Sequence, residues 1–459
     1  MVTQKLLLSR LQDPVIRGET RPETWRRKQL GRFRDLIDQH EEKVLKALQQ
    51  DLGKPSTEAF FELLALRIEL NLTEKHLRSW MRPQPVKVPL SQRPGQAKVK
   101  HEPLGCVLII GPWNYPFSLT LQPLISALAA GNTAVLKPSE HAQATSELIS
   151  QLISQHFPED VVQVIQGDGD IAAELVQLPF DHIFFTGGIA TGKKVMAAAA
   201  QNLTPVTLEL GGKSPAIVIE GADLAVTAKR LIWGKTLNAG QTCIAPDHLI
   251  VQESIKQPLL EAMTQVIDEF HGPDPLQSPH LGNIINDQQF QRLHGLLQGA
   301  KQRGGVLVGG DVDAEKRRIA PALISVDNLD DPLMQEELFG PLLPILTTNN
   351  LESALLGIQH KPHPLAIYLF GGTNEQQQQL LNSSSSGGVC FNDVIMQAAI
   401  PDLPFGGIGA SGMGSYHGHT GFKTFSHSKA VLKRPFWLDL KFRYPPYTID
   451  LALLKKLLR

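Results

Sequence analysis

The chain has 459 residues, with 44 lysines and arginines against 45 aspartates and glutamates, for a formal net charge of −1. So even a balance gives no basic stripe for nucleic acid, which is therefore not an expected partner. At ~100–200 residues per domain the length predicts two or three domains rather than one core.

The cysteines Cys106, Cys243 and Cys390 lie far apart, with no CxxC pair, so a cysteine metal site is not expected. An odd, sparse count suits a reducing cytoplasm in which one thiol is kept for chemistry. The 38 glycines and 32 prolines are spread through the chain as turn punctuation.

At the N-terminus, MVTQKLLLSRLQDP is apolar only over Leu6–Leu8 and reads as neither a signal peptide nor a membrane span. From about Glu23 to Trp80 apolar residues recur at three- and four-residue intervals: Leu30, Phe33, Leu36, Ile37, then Val44, Leu45, Leu48, then Phe60, Leu64, Ile68. That spacing predicts helices. The proline-rich MRPQPVKVPLSQRPGQAKVK that follows predicts an exposed two-stranded arm. After Leu104 short apolar runs alternate with helical stretches: GCVLII, TAVLKP, VVQVIQG, HIFFTGG and VTLELGG. The rhythm resumes with SPAIVIE, HLIVQ, VLVGG, LLPILTT, LAIYLF and GGVCFND. Such alternation predicts an α/β protein with doubly wound parallel sheets, in two domains that divide near Leu210–Gly212.

Five stretches carry candidate chemistry. Cys243, in Gly240-Gln241-Thr242-Cys243, falls between a helix over roughly Asp223–Leu237 and the strand DHLIVQ, where a side chain can face a cleft. Its thiolate would be the reactive form, although a buried inert cysteine is an equally good account of the residue alone. Glu209 interrupts an apolar strand before Gly211-Gly212-Lys213. It is either a carboxylate tuned toward general-base use or half of a buried ion pair with Lys213. Asn114, in Pro112-Trp113-Asn114-Tyr115-Pro116, stands at a strand–turn–helix junction. There it could donate to an oxyanion or merely form the turn. Lys137 and Glu140, in KPSE, could hold ribose hydroxyls, and Thr186-Gly187-Gly188 opens a helix whose N–H groups could face a pyrophosphate.

Two literal patterns are set aside. Gly187–Lys193 fits GxxxxGK, but Lys194 replaces the hydroxyl residue of a P-loop. Gly407–Gly412 fits GxGxxG but opens no first βαβ unit.

Taken together, PWNYP, KPSE, FTGG, LELGGK, GQTC, EELFGP and PFGGIGASGMG, in this order, resemble the aldehyde dehydrogenase superfamily from about residue 25 to Pro446. DLGKP, GQTCIAPD, FNDVIMQAAIPDLPFGG and KFRYPPY are similar to its class 3 or fatty-aldehyde branch. The resemblance implies NAD- or NADP-dependent oxidation of aldehydes to acids, through a thiohemiacetal and a thioester on Cys243. Glu209 would activate the deacylating water, and Asn114 with the Cys243 N–H would hold the oxyanion. Lys137 and Glu140 would take the adenosine ribose, Thr186 and Gly187 the pyrophosphate region, and Glu337 and Phe339 the nicotinamide half. It also implies a dinucleotide-binding domain over 1–82 and 102–209, and a catalytic domain over 210–425. An oligomerisation arm over 83–101 and 426–447 would make a homodimer. The runner-up is the acylating type with coenzyme A as acceptor; a silent scaffold would have been free to lose Cys243, Glu209 and Asn114.

Tyr115, Trp233 and Phe405 are candidates to line an apolar tunnel for medium- to long-chain aliphatic or aromatic aldehydes. Residues 448–459 predict a short amphipathic helix, capped by Thr448 or Asp450, with Lys455, Lys456 and Arg459 opposite a leucine face. Too short to span a bilayer, it would lie on a membrane surface or pack on the enzyme itself.

Overall fold

The computed structural model describes residues 2–89, 92–439, 443–447 and 450–457. After four helices, Val2–Ile16, Glu23–Gln39, Glu41–Leu52 and Ser56–Trp80, come strands β1 (Gln84–Val86) and β2 (Gln96–Pro103). They pair antiparallel, Val86 opposite Ala97.

Five strands follow: β3 (Cys106–Ile110), β4 (Thr133–Lys137), β5 (Val162–Val164), β6 (His182–Thr186) and β7 (Val206–Glu209). They are parallel, in the spatial order β7-β6-β3-β4-β5. Every residue of β3 and β4 is buried, as expected of strands covered by helices on both faces. Helix Ser118–Ala130 is buried at all positions but Leu119, because the sheet lies on one side and helices Glu23–Gln39 and Ser56–Trp80 on the other.

The second sheet comprises β8 (Pro215–Val218), β9 (His248–Gln252), β10 (Val306–Gly309), β13 (Ala322–Ser325), β14 (Leu342–Thr348), β15 (Ala366–Phe370) and β16 (Gly388–Phe391). Between β10 and β13 lies a small hairpin, β11 (Val312–Asp313) with β12 (Arg318–Ile319). The spatial order is β10-β13-β14-β9-β8-β15-β16, parallel except at β10. Two doubly wound sheets are thus present as expected.

One feature departs from the expectation. The chain returns to the first sheet near its end: β17 (Gly412–Met413) pairs antiparallel with β7, and Tyr416, Phe422 and Phe425 join the core under β3 and β4. Residues 412–425, expected in the catalytic domain, therefore pack with the first sheet. The arm, expected from 83–101 and 426–447 together, is three-stranded: β18 (Ser426–Lys433) pairs along the whole of β2. The N-terminal helix Val2–Ile16, within the expected dinucleotide-binding segment 1–82, packs on this sheet: Leu8 and Leu11 join the core that includes Leu108 and Ile110 of β3, and the Leu11 carbonyl accepts from the Thr133 hydroxyl at 2.6 Å.

The first sheet's strand order reverses between β3 and β6. Ligands bind at the carboxyl ends of strands beside such a reversal, and the site lies there.

Candidate active site

The loops after β3, β6 and β7 meet the Cys243 segment and residues 329–339 around a cavity of about 1040 Å³. Asn114, Thr186, Gly187, Glu209, Cys243, Glu337 and Phe339 all line it. Three residues given chemistry from separate motifs are thus brought together.

Cys243 is positioned by an irregular backbone. Helix Leu224–Thr236 gives way to a 3₁₀ turn, Leu237–Gly240, in which Asn238 and Ala239 adopt φ of 53°. Such left-handed non-glycine residues cost free energy and need support from their surroundings. Asn238 receives it: its N–H donates to Glu58 at 2.8 Å and its amide to the carbonyls of Asn114 and Gln241. Gly240, at φ 76°, is obligatory, since a Cβ would lie 2.3 Å from the Gly340 carbonyl oxygen. Ala245 N–H then donates to the Thr242 carbonyl at 2.9 Å, closing a turn with Cys243 at its second position. Burial, and next the charges of Glu337 and Glu209, push the Cys243 thiol up.

Asn114 is buried, and its amide donates to the Gln241 carbonyl at 3.0 Å, which fixes the side chain against the nucleophile loop. An amide has two N–H donors, so one is left for a ligand.

Glu209 ends β7 with neither carboxyl oxygen bonded or open to solvent, and burial raises its pKa well above the usual range. The ion pair with Lys213 does not form. Lys213 bonds Asp247 instead, and donates to the carbonyls of Leu333 at 2.9 Å and Glu336 at 2.8 Å. Asp247 in turn accepts from Leu338 N–H at 2.7 Å, and Arg292 donates to the Leu338 carbonyl at 2.6 Å. This brace holds the segment that carries Glu337 and Phe339. Burial first, then Asp247, raises Glu337 to about 8. A Cβ on Gly211 would sit 2.0 Å from the Glu337 carboxylate, so that glycine makes room for it. Phe339 meets Trp113 edge-on, ring centroids 5.1 Å apart.

The remaining candidates divide. Lys137 and Glu140 pair with each other at 2.8 Å and do not line the cavity; burial opposes ionisation of Glu140, but the Lys137 hydrogen bond, a backbone hydrogen bond and the charges of Lys137 and His141 together hold the carboxyl low. Phe405 lines a separate pocket of about 230 Å³ with Ile244 and Gln397. Trp233, like Cys243, packs against the second sheet's core. Tyr115 is a correction: it lines neither cavity. Its hydroxyl bonds the Thr242 hydroxyl at 2.7 Å and Lys54 lies 4.0 Å above its ring, so it braces the nucleophile turn.

A dinucleotide suits the main cavity. The buried Thr186 hydroxyl has no partner, and the adjoining helix Ile189–Ala199 begins at Gly188 with no side-chain cap, leaving N–H groups for an anion. Lys54, Glu58, Glu62 and Asp247 act in support and were not singled out from sequence. Their partners lie on distant elements, and only the family motifs DLGKP and GQTCIAPD touched Lys54 and Asp247.

A cysteine, an unpaired buried carboxyl and a fixed amide on one dinucleotide-sized cavity suit an oxidoreductase. Residues 19–431 match the aldehyde dehydrogenase family, and the chain belongs to it. It is 43% identical over 443 residues to aldehyde dehydrogenase family 3 member H1 of Arabidopsis thaliana, covering 96% of this chain and 92% of that one. It is 42% identical to the dimeric NADP-preferring aldehyde dehydrogenase of Canis lupus familiaris, covering 94% of each. Of solved structures, the substrate-bound state of Staphylococcus aureus AldH superposes with a TM-score of 0.96 at 40% identity, covering 100% of both chains. The protein oxidises aldehydes with NAD or NADP. The coenzyme A-acylating alternative is not supported.

Proposed function

We propose that Cys243 is the nucleophile, Asn114 the oxyanion donor and Glu209 the deacylation base of this aldehyde oxidation. The observation that carries the assignment is the meeting of all three on one cavity, with Glu209 unpaired. The Cys243 thiolate, its proton already lost to solvent, adds to the aldehyde carbonyl, and the free Asn114 N–H donates to the resulting oxyanion. One such donor is worth roughly 2.7–4 kcal/mol at the transition state. When bound, the nicotinamide supplies the hydride acceptor, and Glu337, Phe339, Thr186 and Gly187 would hold it. The thioester left on Cys243 is hydrolysed by water that gives its proton to Glu209. Glu209 lines the same cavity as Cys243 with both carboxyl oxygens unbonded, which leaves them available for this step.

The first sheet and its helices, 1–82 and 102–209 with the returning 412–425, are proposed to bind the dinucleotide. Residues 210–411 would supply the nucleophile. The arm of β1, β2 and β18 would form a homodimer, in line with the relative named dimeric. Phe436 and Trp437, almost wholly exposed just after β18, are apolar surface of the kind dimerisation covers. Lys137 and Glu140 remain the proposed adenosine-ribose contacts. Medium- to long-chain or aromatic aldehydes are the proposed substrates, in keeping with the apolar core against which Cys243, Phe405 and Ile395 each pack, although Trp233 lines neither cavity.

No helix among the described residues is long and apolar enough to cross a membrane. Residues 448, 449, 458 and 459 of the tail lie outside those described, while Leu451–Leu457 is helical. Asp450 caps it, accepting from the N–H groups of Ala452 and Leu453. Leu451 and Leu453 are exposed rather than packed on the enzyme, which favours peripheral contact with a membrane.

Cys243→Ala is expected to abolish aldehyde-dependent NAD(P)H formation, while Cys390→Ala keeps most of it. Turnover by purified Cys243→Ala protein would refute the mechanism.

A further inference from the structure

The nucleophile turn Thr242–Ala245 is held at both ends by tyrosine hydroxyls. Tyr115 bonds the Thr242 side chain, as described. At the other end Tyr368, fully buried on β15, donates its hydroxyl proton to the Ile244 carbonyl at 2.5 Å. The same oxygen accepts from Ile395 N–H and from the Gln397 side-chain amide, each at 3.3 Å. One donor and two acceptor positions are all a phenol has, so the hydroxyl is saturated. It joins three segments: the turn carrying Cys243, strand β15, and the 3₁₀ turn Met396–Ala399.

Both ends of this link bear on the reacting region. Ile244, the residue after Cys243, and Gln397 line the 230 Å³ pocket together with Phe405, and Ile395 and Cys243 pack against the same core of the second sheet. Ile395 also stands at φ 66°, a conformation a β-branched residue holds only under constraint. Burial keeps the Tyr368 hydroxyl protonated, consistent with its role as donor to Ile244.

We infer that Tyr368 is a positioning residue for the aldehyde oxidation: its hydroxyl fixes the Cys243 turn relative to the Ile395–Gln397 wall. The inference rests on Cys243 as nucleophile. A phenylalanine keeps the ring and the packing but leaves the Ile244 carbonyl, the Ile395 N–H and the Gln397 amide without their common partner. Proximity arguments make the attack step sensitive to such loosening.

The test is Tyr368→Phe, read by the pre-steady-state burst of NADH and by the iodoacetamide alkylation rate of Cys243 across pH, with the modified peptide located by mass. The expected result is a burst rate about 10-fold lower and an altered alkylation–pH profile. NADH affinity by fluorescence should be unchanged, since Tyr368 does not line the main cavity. A wild-type burst rate and alkylation profile would overturn the inference, whatever the change in melting temperature. If Tyr368→Phe does not fold, Gln397→Leu removes one of the two donors to the hydroxyl. It should lower the burst rate about 2- to 3-fold, and an unchanged burst would be a refutation. Should alkylation of Cys243 in the unaltered enzyme leave the burst intact, it is the nucleophile assignment that fails.

Discussion

Cys243 and Glu209 share an electrostatic problem. Each is needed without its proton, and each sits where burial favours the protonated form; for Cys243, the charges of Glu337 and Glu209 add to the effect. Both pKa values are raised, and both active forms are deprotonated, so activity must grow as pH rises and fall as pH drops. With a non-ionising aldehyde, steady-state kcat/KM, which reports capture by Cys243, and kcat, where hydrolysis through Glu209 counts, are both expected to climb throughout about pH 6 to 9. A flat profile over that range would mean that neither group limits the reaction. Lys213 was the alternative partner for Glu209, and its commitment to Asp247 and two carbonyls leaves the carboxyl free for this work.

At the scale of elements, the start of helix Ser56–Trp80 ties the halves of the site together. Glu58 accepts from Asn238 N–H in the nucleophile loop. One turn on, Glu62 pairs with Lys54, both side chains fully buried, and accepts from the N–H groups of Phe117 and Ser118 where the helix after Asn114 begins. Glu62→Ala would strand the buried Lys54 and these donors. Chemical denaturation should show a loss of about 3–5 kcal/mol, as when one partner of a buried pair is removed. A loss under about 1 kcal/mol would place the pair among weakly coupled surface contacts. Sequence disclosed the strands well, because β3, β4 and β6 are short apolar runs between glycines and helical stretches. It disclosed Cys243, Glu209 and Asn114 because each sits in a distinctive motif at an element's end. It could not show that 412–425 return to the first sheet: β17 is two residues long and lies in a glycine-rich run with no periodicity. Nor could it show that Tyr115 braces Thr242, since that pairing depends on how two sheets face each other.

At the scale of the molecule, the described tail offers one apolar stretch without a partner, Leu451 and Leu453, beside exposed Lys455 and Lys456. An interfacial helix with a basic side binds anionic lipid through both. In co-sedimentation with phosphatidylserine-containing liposomes, the full chain should partition more strongly than a truncation after Tyr447. Raising the salt should narrow the gap. Equal partitioning at low salt would reject membrane contact.

Covalent catalysis with a separate hydrolytic base is the central claim, and Glu209→Gln tests it most directly. Acylation and hydride removal do not need a base at position 209; hydrolysis does. On mixing with aldehyde and NAD, the variant should form about one equivalent of NADH per competent site and then slow sharply. Mass analysis of the quenched protein should find the acyl group on the Cys243 peptide. An undiminished steady-state rate, or a burst with no acyl group on Cys243, would contradict the account.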